Sequence, residues 1–345
     1  MNFSTFVDCI DCAKKRLGGN KMSIKDLQKG NEFVGVSSEI EAGAIASAFV
    51  QWLAQKVKKN FLYLNICIGY DTPSAEEVAL GIKKGISIMG AHSQNAGLSV
   101  TPALSASVLM PYYEFDAAIM ITGKSNVDKL DKGEILVDGA SLIQHEQTKE
   151  DGFTLRFFTA DGEIDSEDLE PVARFASRIG FVGEYYECED VNLMEMYSAS
   201  VRQYIFNSVG HDLSGLKVAF RQSNGPADFF AVDVLEKLGA EVLQGESLEG
   251  ADIGIGFSRD ASWVAMVTPS GTPLERTELG ALVAGRDNGA ELPDAGSSSA
   301  DAASNAVDPS GSDAAPDTAH GDGVTNIDAV DLAAIAVSKA ASSSI

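Results

Sequence analysis

GADIGIGFSRDASWVAMVTPSGTPL, residues 250–274, decides how the rest of the chain is read. Ile253 to Phe257 is an apolar run too short for a helix and bounded by polar residues, the signature of a buried strand. Ser258 to Ser262 is a tight polar turn, Val264 to Val267 returns as a second strand, and Gly271 marks another turn. The segment is a strand–turn–strand unit whose turn carries Ser258, Arg259, Asp260 and Ser262.

Outward from this unit, the chain has 345 residues, enough for two domains of ordinary size. An apolar fraction of 45% fits a soluble globular protein. No run of about 18 apolar residues appears, so no membrane-spanning helix is expected. Asp8 and Asp11 interrupt the apolar core that a secretion signal needs, which points to the cytoplasm. Cys9, Cys12, Cys67 and Cys188 show no even framework of close spacings, and Cys9 and Cys12 read as neighbours on a helix rather than as half of a zinc site. A net charge of −24 argues against nucleic acid or an anionic membrane as partner. An anionic ligand would require Lys and Arg to be gathered locally.

Residues 1–20 present Phe3, Phe6, Val7, Ile10, Ala13 and Leu17 at helical spacing, ended by Gly18-Gly19. This extension docks either on the chain's own core or on a partner. From Met22 strands and helices alternate: strand Phe33 to Val36, helix Ala42 to Val57, strand Leu62 to Ile68 and helix Ser74 to Met89. Ser74-Ala-Glu-Glu77 reads as a capping box opening that last helix. Leu98 to Val100, a helix from Thr101 to Leu109 and the strand Ala117 to Thr122 follow. A smaller unit repeats the pattern, with strand Leu216 to Phe220, a turn at Asn224-Gly225-Pro226, helix Ala227 to Leu238 and strand Ala240 to Leu243. Alternation of this kind predicts layered α/β domains. After Arg286 the residues are Gly, Ala, Ser, Asp and Pro with almost no large apolar side chain, the composition of a disordered acidic linker. An Ala-rich helix closes the chain.

Several segments occur in the order of one known family. GNEFVGVSSEIEAGAIASAFVQWLAQ, ICIGYDTPSAEEVALGIKKGISIMG, GLSVTPALSASVL, AAIMITGKSN, GFTLRFFTADGEIDSEDLE and LKVAFRQSNGPADFFAVDVLEKLGAEV precede the ADIGIGFSRDASW unit, and GTPLERTELGALVA follows it. Together they resemble the alpha-D-phosphohexomutases, the phosphoglucomutase/phosphomannomutase family. The resemblance implies two three-layer α/β/α domains with mixed sheets, the first two of the family's usual four, plus the linker and the terminal helix. The expected boundaries are a helical extension over 1–20, domain I over 21–197, domain II over 198–285, linker 286–325 and helix 326–345.

The family's reaction, as the resemblance implies, passes a phosphoryl group between a phosphoserine and a hexose phosphate, with magnesium spreading the charge. Its TASHNP-type loop aligns with ITGKSN, so Lys124 stands at the phosphoserine position and Ser125 one residue along. A one-residue displacement moves an oxygen by roughly 3–4 Å, more than in-line transfer tolerates. Ser125 is the only candidate nucleophile left there. Gly123-Lys124-Ser125 also mimics the end of a P-loop, but Ala118 stands where that motif needs glycine. In the metal loop, DGDxDR aligns with Ser258 to Trp263, which keeps Asp260 and puts Ser258 and Ser262 at two ligand positions. One carboxylate with two hydroxyls holds magnesium weakly. No cofactor is therefore expected, or magnesium if the ancestral site persists. Tyr70 and Pro73 take the arginine positions of the family's GRDSR turn. If the loops face each other as in the family, the Lys124 ammonium approaches Asp260 and replaces the metal as counter-charge. The C-terminal HGDGVTNIDAVDL faintly resembles a calcium loop, but Thr318, His320 and Ala329 stand at ligand positions, and Asn326 reads better as a helix cap.

No segment after Ala284 matches the sugar-reading or distal phosphate loops of the family, so the resemblance implies a chain truncated to two domains. The expected function is a phosphohexomutase-like protein of carbohydrate metabolism without catalysis, acting by binding a hexose phosphate or a full-length mutase. The alternatives are a working mutase, an intramolecular phosphotransferase of the isomerase class, completed by a partner chain in a homo- or hetero-oligomer, and a decaying gene product without selected activity.

Overall fold

The strand Asn65–Tyr70 (β3) sends alternate side chains to opposite faces of its sheet, and the two faces feed two different cores. The structure, a computed structural model, describes residues 23–123, 152–179, 188–209, 212–244, 247–262 and 264–272. Ile66 and Ile68 of β3, Ala117, Ile119 and Ile121 of Ala117–Thr122 (β5), and Phe153, Leu155 and Phe157 of Phe153–Thr159 (β6) face one core. Cys67, Ala118, Met120 and Phe158 face the other.

The first sheet has eight strands. Gln28–Lys29 (β1), Glu32–Val36 (β2), His92–Leu98 (β4), Gly162–Glu163 (β7) and Glu189–Asp190 (β8) complete it, in the order β1-β2-β6-β5-β3-β4-β8 with β7 paired to β6. It is mixed: β3 runs parallel to β4 and β5, and β6 antiparallel to β5 and β2. One face is covered by the helices Glu39–Val57 (α2), Glu76–Ile88 (α3) and Ser166–Ala176 (α5), with the short Ile24–Leu27 (α1) packed on α5. Helices α2 and α3 pack backbone to backbone. A methyl on Gly85 would overlap the carbonyl of Gly43, and Ser47 Oγ donates to the Gly85 carbonyl at 3.0 Å.

The opposite face carries Thr101–Ser107 (α4) and Leu193–Val209 (α6). Its core does not stop at the sheet. Leu104 of α4 and Leu193, Tyr197, Val201 and Ile205 of α6 join it to Val218, Phe220, Ile253 and Ile255 of a second sheet. That sheet has four strands, Lys217–Arg221 (β9), Glu241–Gln244 (β10), Ile253–Phe257 (β11) and Val264–Val267 (β12), in the order β10-β9-β11-β12. Strands β10, β9 and β11 are parallel, β12 is antiparallel, and Pro226–Lys237 (α7) crosses from β9 to β10. The expected layered α/β fold with mixed sheets is what the described residues form.

Three local expectations are corrected. The run from Leu62 begins as a 3₁₀ turn, Phe61–Tyr63, and the strand starts only at Asn65. The Ser74 capping box does not form. Pro73 opens a 3₁₀ turn, Ala75 becomes the helix cap without a side-chain bond, and Ser74 Oγ lies 3.0 Å from Thr72 Oγ1 instead. Strand β4 replaces the short Leu98 to Val100 piece, and its polar sequence is held in the sheet by parallel pairing with β3 and β8. Among the described residues no helix is long and apolar enough to cross a membrane. The extension 1–20, the linker 286–325 and the helix 326–345 lie outside the described residues.

Candidate functional site

The carboxyl ends of β3, β5 and β11 converge where the two sheets meet. The turn after β11 reverses the chain in four residues, closed by the Ala261 N–H on the Ser258 carbonyl at 2.9 Å, with Ala261 in the left-handed region at φ 56°. This folds both serine hydroxyls back on Asp260. Asp260 Oδ1 accepts from Ser258 Oγ at 2.8 Å, from Ser262 Oγ at 2.9 Å and from the Ser262 N–H at 3.2 Å. Oδ2 accepts from Thr101 Oγ1 of α4 at 2.6 Å. A guanidinium nitrogen of Arg156 lies 4.0 Å from Oδ2. Asp260 is buried, 8% exposed, with three donors on Oδ1 and one donor and the Arg156 cation on the side of Oδ2.

Arg156 is held from the other side. It extends from β6 opposite the hairpin strand β7, where Nε and a terminal nitrogen each donate to the Glu163 carboxylate at 2.8 Å. The guanidinium also lies over the Phe158 ring, 5.5 Å from its centroid. A fork bonded to one carboxylate therefore presents its remaining edge to Asp260.

A second carboxylate stands at the end of β3. Asp71 is 4% exposed, and its Oδ1 accepts the Gly123 N–H at 2.8 Å. Burial pushes its carboxyl up to about 7, and the charge of Asp260 adds to the rise, against the Gly123 hydrogen bond and the charge of Arg259. Arg259 packs on the opening of α7. Its carbonyl accepts the Ala227 N–H at 3.2 Å, and a methyl on Gly225 would run into its side chain.

The donor set does not fit magnesium. That ion needs lone pairs of hard, anionic oxygens in an octahedron, and here the hydroxyls of Ser258, Ser262 and Thr101 spend their hydrogens on the one carboxylate. A divalent cation would have to compete for the Asp260 lone pairs that these hydroxyl hydrogens occupy, close to the Arg156 guanidinium. Among the described residues no group of three or more His, Cys, Asp or Glu side chains could hold a metal.

Of the residues singled out from the sequence, Ser258, Asp260 and Ser262 are brought together in one hydrogen-bonded turn. Lys124, Ser125 and Trp263 lie outside the described residues, and with them the expected Lys124 to Asp260 pair. The cation that the described residues place beside Asp260 is Arg156. Sequence reading missed both Arg156 and Thr101. Arg156 had a signal: in FTLRFFT it is the one charge in an apolar strand, with Glu163 just across the hairpin.

Comparison with known proteins agrees with this fold. Residues 34–150 match the family model for phosphoglucomutase/phosphomannomutase, alpha/beta/alpha domain I. The chain is similar in structure to a phosphoglucomutase/phosphomannomutase family protein from Burkholderia thailandensis, at 16% identity and a TM-score of 0.56 over 78% of this chain and 59% of that one. It is similar to a protein assigned as a phosphomannomutase from Thermus thermophilus, at 16% identity and a TM-score of 0.57 over 77% of this chain and 62% of that one. A third similar structure is the open form of Paramecium parafusin, a phosphoglucomutase, at 14% identity and a TM-score of 0.50 over 70% of this chain and 52% of that one. At these identities the likeness carries the fold. The chain spans between 52% and 62% of the length of these three structures. No curated protein matches it.

Proposed function

Because the first α/β domain of the chain belongs to the phosphoglucomutase/phosphomannomutase family, and the chain through it to the alpha-D-phosphohexomutases, we propose that the protein is a non-catalytic phosphohexomutase-like protein of carbohydrate metabolism. It acts by binding a hexose phosphate or a full-length mutase. The observation that carries the proposal is the Asp260 carboxylate, whose two oxygens take the hydroxyl hydrogens of Thr101, Ser258 and Ser262. Phosphoryl transfer depends on positioning and on charge placed against the phosphoryl oxygens. A turn with one carboxylate, already taken up by three hydroxyls, is a poor holder of the divalent cation that would spread charge over the phosphoryl oxygens.

The test is a mutase assay with glucose 1-phosphate and mannose 1-phosphate, with and without Mg²⁺, together with phosphoryl transfer from glucose 1,6-bisphosphate to Ser125. No turnover and an unlabelled chain support the proposal. Magnesium-dependent turnover by this chain, or labelling of Ser125, overturns it in favour of a working mutase.

A further inference from the structure

The same turn does something else that its two lost acids do not explain. Helix α4 begins at Thr101 behind Val100, a residue with no side-chain oxygen to cap the free N–H groups of the first turn. The cap comes instead from the other sheet. The Thr101 N–H donates to the Asp260 carbonyl at 2.7 Å, and the Thr101 hydroxyl to the Asp260 carboxylate at 2.6 Å. One residue earlier in the turn, the Arg259 carbonyl accepts the Ala227 N–H in the first turn of α7. A single five-residue turn therefore caps two helices that belong to different sheets, and Arg156 of β6 completes the charge balance.

We propose that the Ser258–Ser262 turn is a metal-independent clasp: Asp260 caps α4 and, with Arg156, fixes the second sheet against the first, while Arg259 ties the turn to α7 of its own sheet. Charge explains why no ion is required. Three carboxylates in one turn repel and call for a divalent cation, whereas one carboxylate with two serines needs a single positive charge nearby. Arg156, already neutralised in part by Glu163, supplies it. Hydroxyls and backbone carbonyls then make the bridges between the elements. The shared apolar core joins the two sheets behind the turn, and the clasp sets how the loop ends sit at its mouth. This deepens the non-catalytic proposal above and can fail without it.

A double-mutant cycle on the full chain tests the clasp, using Thr101→Val, Asp260→Asn and the pair, read by urea unfolding in EDTA and again in Mg²⁺. The expected result is that each single variant lowers the midpoint and the pair lowers it by clearly less than the sum of the two. Thr101→Ser, which keeps the hydroxyl, should unfold near the parent midpoint. Wild type should unfold at the same midpoint in both buffers, and amide exchange at Thr101 and Ala227 should quicken in Asp260→Asn. A Thr101→Val chain that does not fold beside a folded Thr101→Ser also supports the clasp. Additive losses, or a Thr101→Ser as weak as Thr101→Val, overturn it. A wild-type midpoint that rises with Mg²⁺ overturns its metal independence, whereas mutase turnover would overturn only the non-catalytic proposal.

Discussion

Replacing Asp71 by Asn should make the protein more stable, and more so as the pH rises. The folded chain holds the Asp71 carboxyl near 7, against an ordinary value of 3.8, chiefly because burial penalises the charged form. The folded state therefore binds a proton that the unfolded chain has released. The stability this group contributes is fully present below pH 3.8 and is lost as the pH climbs through about 7. Each unit is worth 1.36 kcal/mol, so a shift of about three units amounts to about 4 kcal/mol between the two extremes. An asparagine keeps an oxygen to accept the Gly123 N–H at 2.8 Å and carries no charge to desolvate. Urea unfolding of both proteins from pH 4 to pH 8 gives the difference curve. Asp71→Asn should match wild type at pH 4 and exceed it by up to about 4 kcal/mol at pH 8. A flat difference, or a variant weaker than wild type at pH 8, refutes the reasoning.

Other outcomes follow from packing and chemistry. Gly85→Ala gains up to about 1 kcal/mol of helix propensity but drives a methyl into the Gly43 backbone, and overpacking of about 1–3 kcal/mol wins; thermal unfolding should show a lower midpoint. Phe157→Ala should cost about 3–5 kcal/mol in chemical unfolding, because Phe157 is fully buried between Phe33 and Phe49. Arg156→Lys should cost about 1–3 kcal/mol by the same measure, since an ammonium cannot keep both bonds to Glu163 and still face Asp260. Burial pushes the Cys67 thiol up to about 12, so Ellman's reagent at pH 8 should label it only on unfolding.

The strands most legible in the sequence were those buried on both faces. Ile253–Phe257, Val264–Val267 and Ala117–Thr122 fall where continuous apolar runs put them. Strand β4 was not legible, because His92 to Leu98 carries little apolar residue and owes its conformation to neighbours on either side. Ser74 misled for a local reason, since Pro73 starts the turn before the expected cap. At the site, the three polar residues of one turn were visible because they are close in sequence. Thr101 lies 159 residues from Asp260, and only the packing of one sheet on the other brings the two together. Val100 offered a faint hint, as a helix start with no side chain to cap it.

The central claim is that Asp260 is committed to hydroxyls and helix caps rather than to a divalent ion. Isothermal titration of Mg²⁺ into wild type and Asp260→Asn tests it most directly. The expected result is no saturable heat that distinguishes the two proteins. Saturable magnesium binding by wild type that Asp260→Asn abolishes would contradict it.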